Sequence, residues 1–299
     1  MPLTGPPLPP GRPLQLPGRG TTFIREQAGP RGAPTVFLLH GLSATADLNW
    51  FTCYHGVSRQ FGMVAIDHRG HGRGIRSVRR FRLEDCADDV AAVAAELGLD
   101  QIIPVGYSMG GPIAQLLWRR HPDLVSGLVL CATARSFTSQ SPRNRMMLGS
   151  LLGFSAAARM TPNAVRNQLF NTVIGRRLND TPLARWAVQE VRRNDPATVL
   201  QAAWAVGAYD SRRWIGEIDV PTAVVMTTHD RLVAPARQQR MADSIRGATV
   251  HPVAADHGAC VMRTDVFLPA LLEACDSVAA RAGVTGPAPS TAGPAGASR

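Results

Sequence analysis

The stretch that decides the fold is PVGYSMGGPIAQ, residues 104–115. An apolar run leads into Ser108 and a helix-forming run follows it, with Gly106 and Gly110 placed two residues to either side. A serine on so sharp a turn takes strained backbone angles that project its hydroxyl above a sheet. The residues two before and two after it must be small, because strand and helix nearly touch there. We therefore predict a strand, a turn that carries a nucleophilic serine, and a helix.

The rest of the chain repeats this alternation of strand and helix. Short apolar runs predict strands at PTVFLLHG, GMVAIDHRGHG, QIIPVGYS, SGLVLCAT, PTAVVMTT and ATVHPVAA. Apolar residues at helical spacing predict helices at LEDCADDVAAVAAELGL, GGPIAQLLWRRHP, APARQQRMADSI and VFLPALLEACDSVAARAG. Strands that are apolar on both faces and alternate with helices indicate an α/β fold, with a mostly parallel sheet covered by helices on both faces.

Composition divides the chain into segments. Residues 1–20 and 284–299 are rich in Pro and Gly and are expected to be disordered tails. The α/β core is predicted over residues 21–134 and 209–283. Residues 135–208 contain helix-like stretches without a convincing strand, and we expect a helical cap there, over the sheet edge where ligands bind in open α/β folds.

The overall composition excludes several classes of protein. No apolar run approaches the roughly 20 residues that cross a bilayer, so no integral membrane segment is expected. The N-terminus lacks the features of a secretory signal, which makes the cytoplasm the expected compartment. The five cysteines show no C-x-x-C spacing, so neither a metal site nor a redox site is predicted.

Basic residues exceed acidic ones, giving a net charge of +10, and all of them are arginine. They concentrate in RGHGRGIRSVRRFR, residues 69–82. A nucleic-acid surface would interleave aromatic residues or belong to a known binding module, so no nucleic-acid partner is expected. A solvated loop is the favoured interpretation, and attraction to an anionic head group or an acyl carrier is a weaker alternative.

A serine hydroxyl becomes a good nucleophile only when a base accepts its proton. Three histidines lie well beyond the helix that follows Ser108, namely His229, His251 and His257. His251 lies inside a predicted strand, so its side chain would face a helix layer. His257 follows that strand directly, at the active edge of the sheet, and is the predicted base.

The base needs a carboxylate to hold its tautomer and to stabilise the imidazolium. Asp230 ends the run PTAVVMTTHD at the same edge and completes the chain order serine, aspartate, histidine. Asp256 adjoins His257, but neighbouring side chains point apart. Asp210 and Glu217 lie in or near the cap and are weaker candidates.

A tetrahedral intermediate also needs backbone donors, each of which typically contributes about 3 kcal/mol to catalysis. We predict the N–H of Met109, at the start of the helix, and the N–H of Leu42, in the loop after VFLLHG. His40 is expected to support this loop rather than to react.

These motifs resemble the α/β-hydrolase superfamily. LLHGLS, AIDHRGHGRG, GYSMGG, HDRLVAP and ADHG stand in the order of that family, and the resemblance spans about residues 20–282. It implies that the segment from Asp67 to Gly72 is structural, and that His68 and His71 are not catalytic. One position departs from the family, which often has Gly three residues before the acid where this chain has Thr227.

The nucleophile narrows the expected chemistry. Dehalogenases and epoxide hydrolases of this superfamily carry Asp at the turn, and Ser108 argues against both. The resemblance implies a serine hydrolase that acts on a small-molecule ester with a small-to-medium apolar acyl group, without metal or cofactor. An acyltransferase, a carbon–carbon bond hydrolase, a cofactor-free perhydrolase and a non-catalytic ligand receptor remain open. The sequence does not predict the oligomeric state.

The predicted cap carries apolar residues that would either line an acyl pocket or form the core of the cap itself. They are Met146, Met147, Leu151, Leu152, Phe154, Met160, Phe170, Trp186 and Trp204.

Overall fold

A computed structural model describes residues 5–138 and 181–284, together with Gly149, Ser150, Gly153, Ser155 and Ala156. Its centre is a sheet of eight strands in the order β1-β2-β4-β3-β5-β6-β7-β8. The strands β3 to β8 run parallel, while β2 pairs antiparallel with both β1 and β4. The strand bounds are Gly11–Leu16 (β1), Gly20–Gln27 (β2), Thr35–Leu39 (β3), Gly62–Ile66 (β4), Ile103–Tyr107 (β5), Leu128–Cys131 (β6), Thr222–Thr227 (β7) and Thr249–Val253 (β8).

Helices cover both faces of this sheet. Their bounds are Ala46–Trp50 (α1), Tyr54–Ser58 (α2), Leu83–Glu96 (α3), Gly110–Arg120 (α4), Pro182–Arg192 (α5), Pro196–Ala208 (α6), Pro235–Ala242 (α7), Ala259–Met262 (α8) and Thr264–Ala282 (α9). Each predicted strand and helix is present, with ends shifted by a few residues, and the predicted α/β fold class is confirmed.

The strand β3 shows why the apolar runs predicted a doubly covered sheet. Phe37 and Leu39 point into a core shared with α3 and α4, whereas Val36 and Leu38 point into a second core shared with α9. All four side chains are completely buried. Burial on both faces leaves no polar alternation in a strand, which is what its sequence shows.

The N-terminal prediction was wrong in part. We expected a disordered tail over residues 1–20, but β1 pairs with β2 along its whole length, from Gly11 opposite Arg25 to Leu16 opposite Gly20. The prolines suggested a tail, yet β1 is an edge strand, where Pro13 is tolerated because one side of the strand forms no ladder. Leu16 is fully buried and anchors the strand to the core.

Within the segment predicted as a cap, the described residues include two helices, α5 and α6, which lie between β6 and β7. The described residues 135–138 are not helical, and Ser136 forms a β-bridge with Asp210. Of the nine apolar cap residues named above, only two lie within the described residues. Trp186 packs edge-on against Phe51 at 5.1 Å between ring centroids, and Trp204 lies under the Arg80 guanidinium at 4.0 Å. The remaining seven, and the predicted tail from residue 285 onward, lie outside the described residues.

No helix within the described ranges has the length and apolar character that crossing a membrane requires.

Candidate active site

Ser108 occupies the turn between β5 and α4. Its φ is +52°, in the left-handed region that a residue with a side chain rarely adopts, so the turn is strained as predicted. Backbone and side-chain bonds hold it there: the N–H of Ser108 donates to the carbonyl of Cys131 at 2.9 Å, and the hydroxyl of Thr133 donates to the carbonyl of Ser108 at 2.8 Å. A Cβ added to Gly106 would collide with the carbonyl oxygen of Gly110, so the close approach of strand and helix requires glycine there.

The structure brings Ser108, His257 and Asp230 together from three separate loops at the carboxyl edge of the sheet. His257 Nε2 lies 2.9 Å from Ser108 Oγ, and its Nδ1 lies 2.7 Å from Asp230 Oδ2. Because ionised Asp230 can only accept, Nδ1 carries the proton and Nε2 is left as the acceptor for the serine hydroxyl. The histidine side chain is 18% exposed, while that of Asp230 is fully buried.

The Asp230 carboxylate is held by a dense set of donors. Its Oδ1 accepts from the N–H groups of Leu232 and Val233, at 2.9 and 2.8 Å. Its Oδ2 accepts from the hydroxyl of Thr227 at 2.8 Å in addition to His257. Burial acts to raise the pKa of Asp230, but the bonds from His257, Val233 and Thr227 outweigh it and hold the pKa below its ordinary value. The carboxylate is therefore ionised at neutral pH.

Tyr107, the residue before the serine, fixes the loop that carries His257. Its hydroxyl donates to the backbone carbonyl of His257 at 2.5 Å. Burial raises the pKa of Tyr107, so the phenol stays protonated and remains a donor. Asp256 accepts from the backbone N–H of His257 at 2.7 Å, and its side chain stays largely exposed. Asp256 therefore anchors the loop, while Asp230 is the carboxylate that meets the imidazole ring.

One of the two predicted backbone donors follows the serine directly, and the other lies in a loop that approaches the serine. Met109 follows Ser108 directly and has α-helical backbone angles at the start of α4. On the other side, the Cα of Gly41 approaches so closely that an added Cβ would lie 3.3 Å from Ser108 Cβ. Leu42 is the next residue in that loop, and Asn49 fixes the loop by accepting from the N–H of Gly41 at 3.0 Å. Their role as an oxyanion hole stays a prediction.

Three further histidines, His40, His68 and His71, form what we call the buried histidine cluster. Their side chains are at most 1% exposed, and the rings of His68 and His71 lie 4.4 and 5.4 Å from that of His40. His40 Nε2 accepts from the N–H of His68 at 3.0 Å, so its Nδ1–H donates to the carbonyl of Gly41 at 2.7 Å. Burial lowers the pKa of His40 to about 4 and of His71 to about 3, and lowers that of His68 well below its ordinary value. These rings are neutral structural groups.

The weaker candidates lie elsewhere. His229 is exposed, and His251 lies in β8 with its ring 3.6 Å from Glu273 of α9. Asp210 pairs with Arg212 at 2.5 Å and Glu217 pairs with Arg119 at 3.2 Å. Within the described residues, Ser108 Oγ bonds to His257 and to none of these groups.

Two residues that the sequence analysis missed, one near the end of α5 and one between α5 and α6, connect this part of the predicted cap to the site. Glu190 is 4% exposed, and its Oε2 accepts from the hydroxyl of Thr45 at 3.0 Å. Asn194 Nδ2 donates to the carbonyl of Ser43 at 2.7 Å, and its Oδ1 accepts from the N–H of Gly72 at 2.8 Å. No local pattern marked either residue, because both act through contacts more than 100 positions distant in sequence.

The arginine-rich segment is only partly the solvated loop that we expected. Arg69 is buried and pairs with Asp89 at 2.7 Å, and Arg73 reaches the buried Asp47 at 2.5 Å. Arg79 is exposed. The first arginines of the segment therefore pair with buried carboxylates, and removing either arginine would leave a buried charge without its partner.

A depression of about 390 Å³ opens beside His257. Leu232 and Met262 line it and are 78% and 77% exposed, and Arg231 and Arg263 flank them. A large apolar surface beside a reactive group can accept the apolar part of a small molecule.

Comparison with known proteins identifies the family to which the fold belongs. A family model described as "alpha/beta hydrolase fold" matches residues 34–262. A protein of Rhizobium rhizogenes assigned as a carbamate hydrolase is 29% identical over 220 residues, which cover 72% of this chain and 82% of that protein. A bifunctional esterase/perhydrolase of Acinetobacter calcoaceticus is 34% identical over 105 residues, covering 35% of this chain and 38% of the relative.

Among solved structures, the enol-lactonase from Burkholderia xenovorans superposes with a TM-score of 0.69 at 24% identity. The superposition covers 89% of this chain and all of the enol-lactonase, which establishes a shared fold.

Proposed function

We propose that this chain, which belongs to the alpha/beta hydrolase fold family, is a serine hydrolase that cleaves carboxylic esters with a small-to-medium apolar acyl group through an acyl-enzyme. The observation that carries the proposal is the continuous hydrogen-bonded series from Ser108 Oγ through His257 to Asp230, at 2.9 and 2.7 Å. Nucleophile, base and orienting carboxylate in this order are what acyl transfer requires.

In the first half of the reaction, Ser108 Oγ attacks the ester carbonyl carbon while its proton moves to His257 Nε2. The carbonyl oxygen becomes an oxyanion, which the N–H groups of Met109 and Leu42 stabilise. The intermediate then collapses, the carbon–oxygen bond to the alcohol breaks, and the imidazolium returns the proton to the departing alkoxide. Asp230 stabilises the imidazolium throughout and does not itself take the proton.

In the second half, a water molecule attacks the acyl-enzyme. His257 removes a proton from the water, the hydroxyl oxygen bonds to the acyl carbon, and the tetrahedral intermediate forms again. Its collapse breaks the bond to Ser108 Oγ, which recovers the proton from His257, and the carboxylic acid leaves.

The apolar character of the substrate is inferred from the surroundings of His257. Leu232 and Met262 present exposed apolar surface beside the imidazole, in the depression described above. The relatives named for ester and carbamate hydrolysis support acyl-carbon chemistry in general.

Perhydrolysis is a second candidate activity, favoured by the esterase/perhydrolase relative. Here hydrogen peroxide replaces water in the second half, its oxygen bonds to the acyl carbon, and a peracid leaves instead of a carboxylic acid. The first half is unchanged. An acyltransferase and a carbon–carbon bond hydrolase would use the same triad, whereas a ligand receptor would not use it.

The test is hydrolysis of p-nitrophenyl esters from acetate to laurate by the native chain, by Ser108→Ala and by Ser126→Ala. Ser126 is a matched control, because its hydroxyl donates to the carbonyl of Ile102, away from the site. We expect Ser108→Ala to lower kcat at least about 10⁴-fold and Ser126→Ala to leave it within about twofold. A native chain that turns over none of these esters, or an active Ser108→Ala variant, would contradict the proposed function.

A further inference from the structure

Thr227, the last residue of β7, lies where the sequence departs from the family pattern, three residues before Asp230. Its side chain is completely buried, and its hydroxyl lies 2.8 Å from Asp230 Oδ2. This is the same carboxylate oxygen that faces His257 Nδ1. A glycine at this position would supply no donor, so the contact is a property of this chain's own residue.

Gln238 of α7 fixes the direction in which the Thr227 hydroxyl donates. The Oε1 of the buried amide accepts from the backbone N–H of Thr227 at 3.1 Å. Its two shortest Nε2 contacts, which use its two hydrogens, are to Thr227 Oγ1 at 2.9 Å and to the carbonyl of Val233 at 2.8 Å. Nε2 also lies 3.3 Å from Asp230 Oδ2, and a substitution at Thr227 does not remove this contact. The opposite amide orientation would set Nε2 against the N–H of Thr227, donor against donor, so the orientation is determined. Since Thr227 Oγ1 accepts from Gln238, its own hydrogen points at Asp230 Oδ2.

We propose that Thr227 is a positioning residue which, held by Gln238, acts through Asp230 to set the pH range in which His257 is a free base. The inference rests on the proposed function for its catalytic consequence. A carboxylate oxygen that already accepts a hydroxyl bond carries less charge to offer an imidazolium. The imidazolium is then less stabilised, so His257 loses its proton at a lower pH and the enzyme stays active in more acidic solution.

Other ionisable groups beside the Asp230–His257 pair within the described residues are Asp256, Arg231, Arg263 and Tyr107, and Cys260 lies beside Tyr107. Arg263 is half exposed and pairs with Asp265 at 2.9 Å. Burial raises the pKa of Cys260 to about 12 and raises that of Tyr107 as well, so both are neutral. Arg231 is 91% exposed and lies 3.8 Å from Asp256, so solvent screens this pair. Arg237, on α7, turns away and donates to the carbonyl of Ser136. None of these groups bonds to the side chain of Thr227, whose hydrogen-bond partners are Asp230 and Gln238.

The matched pair of variants is Thr227→Val, which keeps the shape and removes the hydroxyl, and Thr227→Ser, which keeps the hydroxyl. The first readout is kcat/KM against pH with an ester substrate. We expect the acid limb of Thr227→Val to move to higher pH by about 0.5, which is a loss of about threefold in acid solution, with the plateau little changed. Thr227→Ser should follow the native profile. Thr227→Ala also lacks the hydroxyl and serves if the valine variant does not fold.

A second readout needs no substrate. The imidazole Cε1–H signal of His257, assigned by its absence in His257→Gln, is followed by NMR through a pH titration of the native chain and both variants. We expect the titration midpoint of Thr227→Val to lie above that of the native chain, and that of Thr227→Ser to coincide with it. Coincident midpoints for all three proteins would overturn the proposal. Absence of Ser108-dependent hydrolysis would instead contradict the proposed function, and the NMR titration would still decide the role of Thr227.

Discussion

Two sets of histidines lie at the same edge of the sheet, and their surroundings assign them opposite roles. His257 has an acceptor on one ring nitrogen, the serine hydroxyl on the other, and partial access to solvent. The buried histidine cluster (His40, His68 and His71) has no such access, and no described residue bonds to either ring nitrogen of His68. Partners and access, rather than residue type, decide which imidazole can transfer a proton.

The buried histidine cluster also supports the loop that lies beside Ser108. His40 donates to the carbonyl of Gly41, the residue whose Cα lies against Ser108, and accepts from the N–H of His68. The cluster thereby connects the loop after β3 with the loop after β4. Neutral, buried rings suit this task, because a charge there would have to be desolvated without a partner.

The largest expected effect is on kcat/KM, and it distinguishes His257 from the buried histidine cluster. His257→Gln should lower kcat/KM for an ester by at least about 10⁴-fold, because the serine loses its base. His68→Leu should change it by less than about fivefold, and should leave the free energy of unfolding unchanged or raised, since it replaces two unpaired buried nitrogens with carbon. Steady-state kinetics and denaturant unfolding check both effects. Comparable losses of activity in the two variants would contradict the different roles assigned to His257 and the buried histidine cluster.

The next effect concerns the two neighbouring carboxylates. Asp230→Asn should lower kcat by about 10³- to 10⁴-fold, because the amide presents the wrong partner to His257 Nδ1. Asp256→Asn should cost less than about threefold, since an amide oxygen can still accept from the N–H of His257. A larger loss in the Asp256 variant than in the Asp230 variant would show that the acid is misassigned.

The cluster should also appear in the pH dependence of stability. The pKa values of His40 and His71 are lowered in the folded state to about 4 and about 3, so as pH falls below about 6.5 the unfolded chain takes up protons first. The free energy of unfolding should therefore fall between pH 6.5 and pH 4, by up to about 1.4 kcal/mol per pH unit for each ring that stays neutral.

Urea unfolding at several pH values measures this slope. His40→Gln retains a donor and an acceptor but cannot titrate, so its slope should be smaller than that of the native chain. An unchanged slope would show that His40 is protonated in the folded state.

The smallest effect concerns Asn194, which bonds to Ser43 and Gly72 and so joins the segments that carry Leu42 and His71. Asn194→Ala should lower kcat/KM about tenfold, because the loop beside Ser108 loses a support. Gln201 is a buried amide of α6 that accepts from the N–H of Phe81 and serves as the matched control. Gln201→Ala should lower the thermal midpoint by a comparable amount but leave kcat/KM within about twofold.

The sequence predicted those features that depend on local pattern and chain order. The turn at Ser108 was predictable because glycine spacing and flanking apolar runs are local, and the positions of Asp230 and His257 followed from strand ends. The strand β1 was missed because its prolines are tolerated only by virtue of its edge position, which is a property of the sheet. Gln238 and Asn194 gave no signal, since their partners are distant in sequence. Thr227 was visible in the sequence as a departure from the family pattern, but the sequence did not predict its bond to Asp230.

Activation of Ser108 by His257 and Asp230 is tested most directly with a fluorophosphonate, which reacts with an activated serine. The native chain is treated with the reagent, and the intact protein and its peptides are then analysed by mass spectrometry. We expect a single phosphonyl adduct on Ser108, its absence in Ser108→Ala, and labelling slowed by at least about 100-fold in His257→Gln. An unlabelled native chain, or an adduct that persists in Ser108→Ala, would contradict this activation.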